Sequence, residues 1–244
     1  MANSSKKIAL VTGANKGIGF EVARQLGRNG CTVFVGARNL ALGREASAQL
    51  QKQSLDARFV ELDVTRRDTV EAAAALIQKD FGRLDILVNN AGIVDPADGP
   101  PSAASLDAVE RVFQANFFGA LSVAQVMLPL LRKSAAGRIV NVSSGLGSLA
   151  FNADPQWQNV SYTLIGYCAS KAAMNMLTVQ LAYELRHTPI KVNSAAPGYT
   201  STDMNQHRGT QTLEQGAAET VRLSLLPSDG PSGSFSSSEG PKPW

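Results

Sequence analysis

The chain has 244 residues, of which 44% are hydrophobic and 18% are charged, and its 23 Lys and Arg against 20 Asp and Glu give a formal net charge of +3. These values are close to the averages of folded globular proteins, so they exclude a disordered or fibrous chain, and the length fits one large α/β domain. The basic residues occur singly or in pairs, without the dense patch that a nucleic-acid surface needs, so we expect no nucleic-acid partner.

Histidine and cysteine are scarce. Cys31, Cys168, His187 and His207 provide too few ligands for a disulfide framework or a zinc site, so we expect no metal. The N-terminal apolar stretch is too short for a signal peptide, and no uncharged apolar run reaches the roughly 18 residues that span a bilayer. We therefore expect a cytoplasmic protein without membrane contact, with a flexible N-terminus at residues 1–5.

Short apolar runs recur along the chain and predict six strands. Each run is apolar on both faces, which is typical of strands in a parallel sheet that helices cover on both sides. The predicted strands span residues 6–12, 32–38, 57–64, 84–90, 137–144 and 190–198.

Helical patterns separate these strands. Ile18, Val22 and Leu26 repeat every four residues ahead of a stop at Gly30, and residues 67–82 are rich in helix formers. Strands that alternate with helices predict a Rossmann-type, doubly wound parallel sheet with helices on both faces.

Two longer helical stretches follow. Residues 105–133, with Pro129 near the far end, predict either one bent helix or two abutting helices, and the helix that carries Tyr167 runs to about Arg186. No linker interrupts the pattern before residue 226, so we expect a single domain over residues 1–244.

The composition changes after residue 226. Residues 227–244 are rich in Gly, Pro and Ser, which is typical of a disordered tail. The Gly-Ser-Phe stretch at 233–235 favours a short last strand at the edge of the sheet instead, and we expect order there.

A glycine-rich loop, TGANKGIG at 12–19, follows the first strand and opens the first helix. In this position such a loop can hold a dinucleotide pyrophosphate at the helix N-terminus. Gly13 permits the tight turn, Gly17 lets the backbone approach the phosphates, and Gly19 lets the helix pack closely on the strand. A purely structural glycine turn is the alternative.

Arg38 stands 19 residues after Gly19, where an NAD-binding protein usually carries an acidic residue for the ribose 2′-hydroxyl. A guanidinium can bind a 2′-phosphate that a carboxylate would repel, and Lys16 in the glycine loop can add a second positive charge. The pair favours NADP(H) over NAD(H), unless both are solvated surface cations.

Polar or glycine-bearing segments end the remaining predicted strands. They are Asp63, residues 89–92, Ser143 with Ser144, and Pro197 with Gly198. Because the ligand crevice of an open α/β sheet lies at the carboxyl ends of its strands, we expect all of them at one edge of the sheet.

Tyr167 and Lys171 lie four residues apart, on one face of their predicted helix. A free phenol titrates near pH 10, but a nearby ammonium favours the phenolate and brings the Tyr pKa towards a range useful for proton transfer. The alternative is a solvated pair on a helix surface.

Together these motifs resemble the short-chain dehydrogenase/reductase family, and the Asn-Lys-Gly-Ile-Gly variant of the loop is similar to that of its NADPH-dependent carbonyl reductases. The resemblance rests on six motifs in the family's order and covers nearly the whole chain. They are TGANKGIG (12–19), NNAG (89–92), Asn116, NVSS (141–144), YCASK (167–171) and PGYTSTDM (197–204).

The resemblance implies a role for each of four catalytic residues. Tyr167 would be the general acid that protonates the carbonyl oxygen, and the base in the reverse direction. Lys171 would lower the Tyr pKa and hold the nicotinamide ribose, Ser144 would bind the substrate oxygen, and Asn116 would anchor a water that leads to Lys171. A buried structural Asn at a helix irregularity is the alternative for Asn116.

The resemblance also implies the NADPH/NADP⁺ contacts. Asp63 and Val64 would meet adenine, residues 89–92 the adenine ribose, and Thr200 with Thr202 the carboxamide and phosphates. The full expected set is Gly13, Asn15, Lys16, Gly17, Ile18, Gly19, Arg38, Asp63, Val64, Asn89, Ala91, Gly92, Tyr167, Lys171, Pro197, Gly198, Thr200 and Thr202.

The expected function is the reduction of a ketone or aldehyde to an alcohol with hydride from NADPH. The alternatives are a 3-oxoacyl thioester reductase and a non-catalytic NADPH-binding regulator. The segment between Ser144 and Tyr167 is longer than the family's commonest version, so we expect a monomer or homodimer in place of the frequent tetramer. Apolar residues that could wall the substrate pocket, or pack in the core, are Leu146, Phe151, Trp157, Tyr199 and Met204.

Overall fold

The computed structural model describes residues 6–244, so the predicted flexible N-terminus at 1–5 lies outside the described residues. The strands are β1 (Ile8–Thr12), β2 (Thr32–Ala37), β3 (Ala57–Glu61), β4 (Ile86–Asn89), β5 (Arg138–Val142), β6 (Lys191–Ala195), β7 (Phe235–Ser237) and β8 (Gly240–Pro241). The α-helices are α1 (Gly17–Arg28), α2 (Leu40–Lys52), α3 (Arg67–Phe81), α4 (Leu106–Phe113), α5 (Gly119–Leu131), α6 (Leu149–Ala153), α7 (Ile165–Glu184) and α8 (Leu213–Ser224).

The strands form one sheet in the order β3-β2-β1-β4-β5-β6-β7-β8, and every neighbouring pair is parallel except β7 with β8. The chain leaves β1 in one direction and returns at β4 on the other side, so the strand order reverses between β1 and β4. Val11 of β1 pairs there with Val88 of β4. The predicted doubly wound parallel sheet is confirmed, and its ligand crevice belongs at this reversal.

Side chains alternate between two hydrophobic layers. Leu10 and Phe34 belong to the layer under α3 and α5, whereas Val11 and Val35 belong to the layer under α1. Because both faces of these strands are buried, the strand sequences are apolar throughout. The predicted helices on both faces are therefore confirmed.

The C-terminal segment is ordered, but its strand differs from the expectation. The strand covers Phe235–Ser237 instead of residues 233–235, and it is not an edge, because β8 adds an antiparallel strand beyond it. Phe235 is buried and its ring stacks on Trp244 at 5.5 Å between centroids. This stacking explains why a Gly-, Pro- and Ser-rich segment can be held on the sheet.

The stretch predicted as one bent helix or two abutting helices is a continuous helical run. Between α4 and α5, residues Gln114–Phe118 form a π-helical turn. A π turn inserts an extra residue into the helix, and such turns are frequent at functional sites. By length and mean hydropathy, 1.3, the run Leu106–Leu131 could also cross a membrane, yet half of that window is buried, as in a core helix.

Candidate active site

The glycine-rich loop is tied to the loop that follows β4. The hydroxyl of Thr12 accepts hydrogen bonds from the backbone N–H groups of Asn90 and Ala91, both at 3.0 Å. Gly13 has φ +63°, and a Cβ there would lie 2.9 Å from Cα of Ala91. Only glycine combines this backbone angle with so close an approach, which supports the predicted role of Gly13 in the turn.

The N-terminus of α1 fits a bound anion. Lys16 is the N-cap residue and makes no side-chain hydrogen bond to the first turn, which also contains no acidic residue. Gly17 has φ +59°, and a Cβ built there would meet nothing within 4 Å. The first turn of the helix therefore lines the cleft without a side-chain cap, where the helix dipole and the first N–H groups favour a phosphate.

One cleft brings together most of the residues expected at the cofactor. Of the eighteen, fifteen line it: Gly13, Asn15, Lys16, Gly17, Ile18, Gly19, Arg38, Asp63, Val64, Ala91, Gly92, Tyr167, Lys171, Pro197 and Thr202. Segments from five strand ends and from α7 thus converge at the edge where the strand order reverses. Asp63 and Val64, expected at the adenine, and Tyr167, expected at the reacting carbonyl, line this same cleft.

Three expected residues lie beside the cleft and do not line it. Asn89 is buried, and its amide donates to the Oδ1 atom of Asn141 at 2.9 Å, across β4 and β5. Thr200 is also buried and donates to the carbonyl of Pro197 at 3.0 Å, and Gly198 packs on Gln211. The side chains of Asn89 and Thr200 are thus buried and bonded within the chain, so we expect structural roles for both.

Asn90, expected at the adenine ribose only as part of residues 89–92, and Asp203, which was not expected there, also line the cleft. The amide of Asn90 donates to the carbonyls of Thr12, at 2.9 Å, and Gly13, at 3.2 Å, which fixes the shape of the glycine loop. Alternation along β4 distinguishes Asn90 from Asn89, since Asn89 faces one side and the next residue the other. No local signal points to Asp203.

The two expected phosphate-binding cations differ in their surroundings. Arg38 is exposed at the end of β2 and lines the cleft. Lys16, in contrast, has its Nζ atom 2.6 Å from the Oδ2 atom of Asp203, and both side chains are more than half exposed. Asp203 begins a short 3-10 turn after β6 and also contacts His207 at 2.9 Å. Lys16 therefore has a partner within the chain before any phosphate arrives.

Tyr167 lies in the first turn of α7, and its hydroxyl hydrogen-bonds with the side chain of Ser144, which follows β5. Burial raises the pKa of Tyr167 to about 12, and the hydrogen bond with Ser144 opposes that rise. At neutral pH the phenol is therefore protonated in the free chain, as a proton donor requires. Tyr167 and Ser144, expected to act on the same substrate oxygen, thus lie next to each other.

Lys171 is buried one turn further along α7. Its Nζ atom donates to the carbonyl of Val142 at 2.8 Å and lies 5.7 Å from the centroid of the Tyr167 ring. Burial lowers the pKa of Lys171 to about 8. The prediction that Lys171 lowers the Tyr167 pKa is wrong for the free chain, because burial raises that pKa and Ser144, not Lys171, is the group that opposes the rise.

Asn116 is fully buried in the π turn. Its Oδ1 atom accepts from the N–H of Ile93 at 2.8 Å, and its Nδ2 atom donates to the carbonyl of Ile93 and to Ser170, both at 3.0 Å. The amide thus joins the loop after β4 to α7. A Cβ on Gly92 would lie 3.3 Å from Oδ1 and 3.5 Å from Nζ of Lys171, so the glycine keeps the space between them open.

The segment before α7 contributes an aromatic surface near Ser144. Phe151 of α6 stacks on Trp157 with 5.2 Å between ring centroids, and a Cβ on Gly145 would lie 3.4 Å from that indole. Met204 lines the cleft. None of the five apolar residues expected at the pocket belongs to the buried core, which removes core packing as their alternative explanation. Across residues 6–244, no group of three or more His, Cys, Asp or Glu residues could hold a metal ion.

Comparison with known proteins identifies the family of this chain. The profile of the family described as short chain dehydrogenase matches residues 7–213. (+)-Neomenthol dehydrogenase of Arabidopsis thaliana is 33% identical, over 96% of this chain and 97% of that protein. Carbonyl reductase [NADPH] 1 of Sus scrofa is 34% identical, over 96% of this chain and 92% of that protein. The structure of NADPH-bound carbonyl reductase from chicken fatty liver matches with a TM-score of 0.86 at 28% identity, and the match covers 98% of this chain and 99% of that one.

The match spans the glycine loop, Tyr167 and Lys171, which line one cleft, and Ser144, whose side chain hydrogen-bonds with Tyr167. This chain therefore belongs to the short-chain dehydrogenase/reductase family of oxidoreductases.

Proposed function

We propose that this protein is a cytoplasmic, NADPH-dependent reductase that converts a ketone or aldehyde to an alcohol, with Tyr167 as general acid. The proposal rests on one observation. Tyr167 lines the same cleft as Arg38, and its hydroxyl hydrogen-bonds with Ser144. NADPH, when bound, would supply the hydride.

The proton chemistry belongs to the chain itself. Ser144 and Tyr167 both present hydroxyls to a carbonyl oxygen, so the developing negative charge meets two donors and receives the Tyr167 proton. The carbonyl of Val142 and the ribose hydroxyls of the cofactor would share the Lys171 ammonium. In the reverse direction the phenolate is needed, and the positive charge of the oxidised nicotinamide would favour it.

The preference for NADPH rests on Arg38. The side chain is exposed at the adenine end of the cleft, with no acidic residue at the end of β2, so it suits a 2′-phosphate. Two of the relatives compared above are named for NADPH, which supports the same choice.

The test is a screen of NADPH oxidation by the purified protein against ketones, aldehydes, quinones and acyl thioesters. Turnover of ketones or aldehydes supports the proposal. Turnover restricted to 3-oxoacyl thioesters would assign the protein to that reductase class. NADPH binding without turnover of any carbonyl would indicate a non-catalytic regulator.

Replacement of Lys171 by Ala should lower both kcat and NADPH affinity by about tenfold to a hundredfold, since a hydrogen bond to a charged group contributes roughly 1.5 to 3 kcal/mol. Steady-state kinetics measures kcat, and fluorescence titration measures the NADPH affinity. Lys79→Ala, on an exposed position of α3, is the control. A loss of rate alone would remove the ribose contact from the proposal.

The Lys171 pKa near 8 adds a pH test. Its ammonium is charged below that pH and loses its proton above it, so NADPH affinity of the wild type should fall as pH rises through about 8. The Lys171→Ala protein should not show this fall.

Replacement of Asp203 by Asn should strengthen NADPH binding at low salt by about twofold to fivefold, because Lys16 is released from its partner, and exposed ion pairs contribute roughly 0.2 to 1 kcal/mol. NADH, which lacks the 2′-phosphate, should gain less. Asp229→Asn, an exposed residue outside the cleft, is the control. Unchanged NADPH affinity at low salt would show that the Lys16–Asp203 pair does not compete with the cofactor.

We further propose a monomer or homodimer. The support is the segment between Ser144 and α7, whose 3-10 turn and α6 add bulk beside that helix. Light scattering at micromolar concentration should give a mass of one or two chains, at 25.8 kDa each. A stable tetramer would contradict this, and the exposed Met176 and Tyr183 on α7 would then be the first contacts to examine.

A further inference from the structure

The helix that carries Tyr167 has no cap of its own. It begins at Ile165, and its N-cap residue, Leu164, cannot accept hydrogen bonds through its side chain. The first turn also contains no acidic residue to oppose the helix dipole. The first N–H groups of any helix need partners from outside it, so α7 must obtain them elsewhere.

A distant dipeptide, Asp98-Gly99, supplies these partners. The carbonyl of Gly99 accepts from the N–H of Ile165 at 3.0 Å. The two carboxylate oxygens of Asp98 accept from the N–H groups of Gly166 and Tyr167, each at 2.9 Å. Asp98 therefore acts as the N-cap of α7 from a loop 69 residues before Tyr167, and one of its oxygens holds the backbone of Tyr167 itself.

The contact depends on a close approach that glycine allows. A Cβ on Gly166 would lie 3.1 Å from Oδ2 of Asp98 and 3.2 Å from Cα of Val109 in α4. The carboxylate is in turn oriented by its own loop, since Oδ1 also accepts from the N–H of Gly99 at 2.9 Å. The acceptor is thus held by a contact that does not involve α7.

The same loop reaches the cleft at its other end. Ile93 lines the cleft and is held by the buried amide of Asn116, whereas Asp98 does not line the cleft. The loop from Ile93 to Gly99 therefore connects the wall of the cleft to the start of the catalytic helix. Side-chain hydrogen bonds hold it at both ends, through Asn116 at Ile93 and through Asp98 at α7.

We propose that Asp98 is a positioning residue that sets the location of the Tyr167 hydroxyl by capping α7, an inference that rests on the proposed role of Tyr167 as general acid. A proton donor must lie within hydrogen-bond reach of the reacting oxygen, and a misplacement of about 1 Å can cost on the order of a hundredfold in rate. The negative charge of Asp98 at the helix N-terminus also favours the docked position.

The test compares Asp98→Ala, Asp98→Asn and a matched control, Asp95→Asn, in the full chain. Asp95 is in the same loop, but its carboxylate pairs with Arg111 and the N–H of Ala97 and does not contact α7. We expect Asp98→Ala to lower kcat by about tenfold or more, with NADPH affinity within about twofold of wild type. Asp98→Asn keeps one acceptor and should be intermediate, and the control should match wild type.

Hydrogen exchange provides a readout that does not depend on activity. The amides of Gly166 and Tyr167 should exchange about tenfold faster or more in Asp98→Ala, while amides in the middle of α7 keep their protection. If Asp98→Ala does not fold, Asp98→Asn is compared with wild type and Asp95→Asn in its place.

Four outcomes would overturn the inference. Unchanged exchange at Gly166 and Tyr167 would reject the cap, and wild-type kcat in Asp98→Ala would reject its effect on catalysis. Equal losses in Asp95→Asn and Asp98→Asn would indicate a general effect of the loop. A wild-type protein that turns over no carbonyl would refute the proposed function, and the positioning role with it, even where exchange retains the cap.

Discussion

Replacement of Tyr167 by Phe should lower kcat for carbonyl reduction by about 10² to 10⁴, which is the usual contribution of a general acid, while the dissociation constant for NADPH stays within about threefold. The ring is half-buried and would fill the same space in the variant, so the fold should be kept. The variant loses only the hydroxyl that hydrogen-bonds with Ser144 and carries the proton. Single-turnover kinetics at saturating NADPH measures the chemical step directly.

Tyr183→Phe is the matched control, because Tyr183 lies on the same helix and is 67% exposed, far along α7 from the cleft. It should keep wild-type kinetics. If Tyr167→Phe retained turnover within about threefold of wild type, Tyr167 would not be the proton donor. Burial raises the pKa of Tyr167 to about 12, so the wild-type reduction rate should show no loss of this proton between pH 6 and about pH 9.

Replacement of Arg38 by Asp should reverse the choice of cofactor. The wild type should prefer NADPH over NADH by at least about tenfold, since a hydrogen bond to a charged group contributes roughly 1.5 to 3 kcal/mol. In the variant the KM for NADPH should rise sharply, because a carboxylate repels the 2′-phosphate. The KM for NADH should stay equal or fall, because a carboxylate accepts a hydrogen bond from a free 2′-hydroxyl.

Lys52→Asp is a control with the same change of charge, at an exposed position on α2 outside the cleft. It should leave the cofactor preference unchanged, and kcat with the preferred cofactor should survive in both variants. Equal wild-type efficiency with NADH and NADPH, or an Arg38→Asp protein that still prefers NADPH, would show that Arg38 is a solvated surface residue.

The sequence by itself determined the succession of strands and helices along the chain. It also determined two groups of residues in the cleft, the glycine-rich loop and the pair Tyr167 and Lys171. Leu10 and Val11 reveal a strand buried on both faces, because side-chain direction alternates along every strand. Tyr167 and Lys171 share one side of a helix because of its 3.6-residue period. Such features depend on a few neighbouring residues, so a local pattern was enough to predict them.

Only the tertiary structure decided which distant groups meet. Asp203 reaches Lys16 from 187 residues away, and Asp98 reaches Tyr167 from 69 residues away, and both contacts depend on how loops at the sheet edge pack. The pKa of Tyr167 is likewise decided there, because it reflects burial by many parts of the chain at once. Desolvation is a property of the assembled site, and for this reason the predicted effect of Lys171 on the phenol was wrong although the predicted pair was right.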